Sequence, residues 1–142
     1  MSNIITPNNL QMTICEDAMR IFQKVNFAFH SLVGCSTSSD ALQNNMDTLK
    51  SAMSYMKDFY NKLENSDYKN PLITLMMDET LTIISKCSDR FASIVKQMPI
   101  NHSKIKMLLG LIIELDDFYD EYTARWLNIT KDWNLNFFER GC

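Results

Sequence analysis

The sequence predicts an all-α fold, one compact helical bundle spanning residues 1–142, and three observations carry that reading. Glycine and proline occur only three times each, whereas all-β folds need many turns built on those residues. Apolar residues make up 46% of the chain and charged residues 22%, an ordinary balance for a globular domain and too apolar for a disordered one. Apolar positions recur at spacings of three and four in four long segments, the period of one helix face. At 142 residues the chain is long enough for one core and short for two.

The first segment opens at Thr6-Pro7, where proline's missing N–H costs nothing at the first helical position, and Gly34 closes it. Its stripe is Ile14, Ala18, Ile21, Val25, Phe29 and Leu32. After the polar loop CSTSSD, Asp40 with Gln43 reads as a capping box. The second stripe then runs Leu42, Met46, Leu49, Met53, Met56, Tyr60, Leu63. A second loop, NSDYKN, leads to Asn70-Pro71, again a cap followed by a proline. The third stripe runs from Leu72 through Met76, Ile83, Cys87, Phe91, Ile94 and Met98 to Pro99. Asp78 can itself cap a helix, which leaves one helix or two open here. The last segment opens near Ser103 and carries Ile105, Leu108, Ile112, Leu115, Tyr119, Tyr122, Trp126, Ile129 and Trp133. Four amphipathic segments with short connections make a helical bundle.

Some apolar residues lie off these stripes: Tyr55 and Phe59 in the second segment, Leu75 and Ile84 in the third. They fit either a wide core-facing stripe or a second apolar face lining an exposed groove of the helix-in-groove kind. The ten methionines suit both, since methionine fills irregular cores and adaptable binding surfaces alike.

Several function classes find no support. The net charge is −3 and the basic residues form no run or stripe, which argues against nucleic acid. The N-terminus has no basic region followed by an apolar run, and the longest apolar stretch, Met107 to Leu115, is broken by Glu114. The expectation is therefore a cytoplasmic chain with no secretory signal and no membrane span. Cys15, Cys35, Cys87 and Cys142 form no CxxC pair and read as reduced thiols. His30 and His102 have no relay partner at a suitable spacing. Asp116, Asp117, Asp120 and Glu121 fall on the face opposite the last stripe and read as a solvated acidic surface. There is no Glu-x-x-His pair for a di-metal site and no glycine-rich loop to cradle a phosphate. No catalytic residue, cofactor or metal is expected, and an enzyme is the least supported class.

One stretch is more specific. In WLNITKDWNLNFF, residues 126 to 138, two tryptophans stand seven apart and precede Phe137-Phe138-Glu139. This resembles the second homology motif of the Bcl-2 family. LKSAMSYMKDFYNKL, residues 49 to 63, looks like the third, with Met53, Asp58 and Tyr60 at its key positions and Lys57 replacing a small residue. DRFASIVKQM, residues 89 to 98, looks like the first, with Phe91, Ala92 and Ser93 replacing tryptophan, glycine and arginine. The interval from Phe91 to Trp126 is shorter than the family's, so a central helix is trimmed or the alignment shifted.

The resemblance implies a viral Bcl-2-like apoptosis inhibitor, acting in the host cytoplasm without a C-terminal membrane anchor. Its partner would be the amphipathic death-motif helix of a host pro-apoptotic protein. That helix would lie in a groove between the second and third segments, near Tyr55, Phe59, Tyr60, Leu63, Ile84, Phe91 and Ile94. Arg90 would stand in for the family's arginine, missing at Ser93, as partner to the ligand's aspartate. Trp126 and Trp133 would anchor a closing element. Some viral members instead blunt inflammatory signalling. A homodimer is a further possible partner state, and the rival reading from another class is a structural helical-bundle subunit of a larger assembly.

Overall fold

The Asn70-Pro71 pair starts a helix as the sequence requires. In the computed structural model Asn70 is extended (φ −137°, ψ 113°) and its side chain accepts the Leu72 amide at 3.0 Å, with Pro71 in the first turn. The structure describes residues 9–33, 39–66, 69–131 and 133. Its elements are α1 (Asn9–Val33), α2 (Ser39–Glu64), α3 (Pro71–Lys96) and α4 (Ile105–Thr130). The fold class is all-α as expected. No described residue lies in a strand, and no described helix is long and apolar enough to cross a membrane.

The structure settles two helix boundaries. Asp78 does not divide the third segment: α3 runs unbroken from Pro71 to Lys96, and the Asp78 carboxylate accepts a hydrogen bond from the Trp126 indole instead. At the start of α4, Lys104 has no side-chain cap. The Nδ1 of His102 accepts the Lys104 amide there, at 3.1 Å, so His102 takes one of the helix-start amides that lack an intrahelical partner. Thr6, Pro7 and Gly34 lie outside the described residues, as does the side chain of Asp40. Gln43 is engaged elsewhere, donating to Asp47 and accepting from Lys104.

Cross-links fix the helix directions. Lys62 near the end of α2 meets Asp17 near the start of α1 at 2.9 Å, so these two run antiparallel. Arg90 in α3 donates to the Leu32 carbonyl at the end of α1 at 3.1 Å, so α1 and α3 run the same way. Ser88 donates to Asp116 at 2.6 Å and Asp78 meets Trp126, so α4 returns along α3. The backbones pack as α1 on α2, α1 on α3 and α3 on α4, while α2 and α4 adjoin across a wider seam. Around the bundle the order is therefore α1, α2, α4, α3, and α2 and α3 stand at opposite corners.

The four stripes meet in one core. Ile14, Ile21, Leu32, Leu42, Met46 and Leu49 are among the side chains fully removed from water, and burying each stabilises the fold by about 1.5–3 kcal/mol. The α1–α2 contact also buries Asn45, which donates to Ser31 at 3.1 Å and so keeps its hydrogen bonding.

Candidate functional site

The residues expected to line a ligand groove are in the core. Phe59, Tyr60 and Phe91 are 0% exposed, and Leu63, Ile84 and Ile94 are at most 2% exposed. The cause is the helix order. With α2 and α3 at opposite corners, their apolar faces point at each other through the interior, and no surface groove lies between them. Tyr55 is the exception, exposed on the outer side of α2 with Lys24 Nζ 5.4 Å from its ring centroid. Arg90, expected to await a ligand aspartate, is half-buried and spends its Nε–H on the Leu32 carbonyl. That carbonyl belongs to the last turn of α1, where no intrahelical donor reaches it. Of the two readings of the off-stripe residues, the wide core stripe holds for Phe59 and Ile84, whereas Leu75 is exposed.

Trp126 and Trp133 pack on each other. Trp126 is buried within α4, four residues before its end, and its Nε1–H donates to Asp78 at 3.1 Å. Trp133, half-buried just beyond the helix, meets it edge-on with centroids 5.8 Å apart and planes at 73°. The Trp133 amide donates to the Thr130 carbonyl at 3.0 Å, which turns the chain there. Phe137, Phe138 and Glu139 lie outside the described residues.

The indoles belong to an aromatic cluster that fills the α2–α4 seam. Tyr60 stacks on Trp126 (5.8 Å, 18°) and leans on Tyr122 (4.8 Å, 44°), and Phe118 stacks on Tyr122 (4.1 Å, 19°). Arg125 closes the seam from outside, its guanidinium 5.5 and 5.3 Å from the Tyr60 and Tyr122 rings. It also pairs with Glu64 and donates to Asn61. The Tyr60 hydroxyl is buried with no hydrogen-bond partner, and burial drives its pKa well above the usual phenol range, against the pull of Arg125. Burial raises Tyr122 too. Such phenols stay neutral and move no proton near neutral pH.

The Cys87 thiol is similarly quiet. Burial pushes the Cys87 thiol up to about 12, so it carries almost no thiolate. Among the described residues no group of three His, Cys, Asp or Glu side chains could hold a metal ion. Surface clefts between helix pairs are shallow, about 200 Å³ between α1 and α2 and again between α2 and α4, and about 190 Å³ between α3 and α4.

The outer surface carries large apolar side chains, among them Leu72, which the third stripe placed on a core-facing side and which is exposed instead. Met12, Met19, Leu72 and Leu75 are exposed on α1 and α3, and Leu109, Ile113 and Leu127 on α4. No family model, curated protein or solved structure matches the chain.

Proposed function

We propose that this protein is a non-catalytic helical-bundle subunit that meets a partner protein on its outer helix faces. One observation carries the reading. The interior apolar faces are consumed by the fold, while large apolar side chains stay exposed in helical register on the outside, Leu109 and Ile113 one turn apart at 46% and 62%. Scattered apolar residues are normal on any surface, but an aligned set marks an interaction face. In an extract of the source cells the chain should sediment within a species heavier than its own 16.5 kDa. A chain that sediments there as a free monomer refutes the reading.

The tryptophan pair favours a second reading, the apoptosis inhibitor that binds a death-motif helix. Its support is that Trp126 and Trp133 pack on each other as anchors near the end of the last helix. A ligand helix would then have to enter at the α2–α4 seam, displacing Arg125 from Tyr60 and Tyr122. Titrating a panel of pro-apoptotic helices against the protein decides it. If none binds at high micromolar concentration, that function is wrong and the bundle subunit remains.

A further inference from the structure

The outward face of α4 carries a stripe with an uncommon order. Residues 109, 113, 116, 120, 124 and 127 follow one another at helical spacing with 117 beside them, and all seven are exposed. They read leucine and isoleucine, then three aspartates, then alanine and leucine. Glu114 and Glu121 flank the aspartates. Asp116 accepts one hydrogen bond, from Ser88. No ion pair among the described residues includes any of these five carboxylates. Arg125, the nearest base in sequence, is committed to Glu64 and Asn61. Like charges three and four apart, as in Asp116–Asp120 and Asp117–Glu121, weaken a helix. Among the described residues no ion pair offsets them, and the base facing them is Lys57 of α2, which lines the α2–α4 cleft with Glu114, Asp117 and Glu121.

Beside the C-terminal end of the stripe lies the α3–α4 cleft of about 190 Å³, lined by Asp78, Leu81, Tyr119, Thr123, Trp126 and Leu127. It has room for one aliphatic side chain. The Thr123 hydroxyl at its wall is buried and has no hydrogen-bond partner.

We propose that this α3–α4 face docks a cationic amphipathic helix of a partner protein, resting on the reading of the chain as a partner-binding subunit. The occupant's basic residues would lie over Asp116, Asp117 and Asp120, and its aliphatic residues would reach Ile113 at one end and the Leu127 cleft at the other. From Leu109 to Leu127 the stripe runs about 27 Å, the length of five helical turns. The same pattern excludes other occupants. The aspartates sit at the middle of the stripe, so a second copy docked about a two-fold axis would set carboxylate on carboxylate. Nucleic acid and anionic lipid are repelled by the same charge. A free cation leaves the apolar ends uncovered.

The test uses the full-length protein and a synthetic helical peptide of about 20 residues, with lysines at the centre of one face and leucines at its ends. A counterpart with glutamate for lysine, and one with the stripe scrambled, serve as controls. The lysine peptide should change the emission of Trp126 and shift amide resonances of α4 and the facing turns of α3. Asp117→Asn combined with Asp120→Asn should weaken binding about tenfold or more without lowering the melting temperature, since it removes repulsion. Leu127→Ser should weaken it comparably, and Glu16→Gln on α1 should not. Raising salt from about 0.05 to 0.5 M should weaken binding. Equal binding of the glutamate or scrambled peptide, variants that bind within about twofold of the parent, or no binding at about 100 μM overturns the inference. If the peptide fails while the chain still sediments in a heavier species in extract, only the surface assignment falls. A free monomer in that extract removes the reading beneath it.

Discussion

Replacing Trp126 tests how the end of the bundle is held. The indole is 2% exposed, and three contacts converge on it: the Tyr60 ring at 5.8 Å, the Trp133 edge at 5.8 Å, and the Asp78 carboxylate at 3.1 Å from Nε1. Truncating a buried tryptophan to alanine costs about 3–5 kcal/mol. Of that, each aromatic pair holds about 0.5–1.5 kcal/mol beyond its buried area. A domain of this size melts lower by about 10–20 °C for such a loss. Trp126→Phe keeps a ring against Tyr60 and removes the donor, so it should cost less than the alanine variant. Urea unfolding followed by far-UV circular dichroism gives the free energies. Trp133→Phe leaves Trp126 as the sole emitter, and its native spectrum should be blue-shifted and resistant to quenching. A Trp126→Ala cost under about 1 kcal/mol, far below the burial estimate, would falsify the anchoring role.

The fold was legible because helix periodicity and capping are local. The alternation from Leu42 to Leu63 and the Asn70-Pro71 start needed no knowledge of neighbours, and both stand in the structure. The tryptophan pair was legible for the same reason, as bulk near a chain end has to be packed. The groove was not. Periodicity says which face of a helix is apolar and nothing about which helix that face meets. Phe59 and Phe91 look like groove residues only if α2 and α3 adjoin on the surface; at opposite corners they become core. Arg90 shows the same limit. Its charge was visible, but one of its partners is a backbone carbonyl 58 residues away, and no side-chain pattern encodes that. Asp78 read as a cap because aspartate caps helices. It became a mid-helix acceptor because Trp126 from α4 lies over it. The outward stripe of α4 is half legible: helix spacing marks its aspartates as a solvated face, whereas Ile113 and Leu127 fall off the apolar stripe and carry no periodic signal of their own.

Four further outcomes check the packing. Tyr60→Phe deletes a buried hydroxyl that has no partner, so it should be neutral or stabilising by up to about 1–2 kcal/mol in urea unfolding; a clear loss would mean the hydroxyl is bonded. Arg90→Ala should cost about 1–3 kcal/mol by freeing the Leu32 carbonyl, and hydrogen exchange should quicken in the last turn of α1. The Cys87 thiol, pushed up to about 12 by burial, should resist alkylation in the native state as followed by peptide mass spectrometry. A thiol raised in this way contributes stability that is complete below its unfolded pKa and declines as pH climbs toward 12. The last outcome concerns Asp78. Burial raises its carboxyl pKa above the ordinary 3.8, and the indole hydrogen bond, the smaller effect, lowers it. Because the folded value is the higher one, the contribution of Asp78 is fully present below 3.8 and is lost as pH rises through the folded pKa. At about pH 7 the folded protein therefore holds the less welcome ionised form. Asp78→Asn keeps an acceptor for the indole and removes that charge. The side chain stands on an exposed rim, where water screens most of the effect, so the gain should be a few tenths of a kcal/mol at about pH 7 and absent at about pH 3. A loss above about 1 kcal/mol at the higher pH would mean that the charged bond to Trp126 outweighs the burial of the carboxylate.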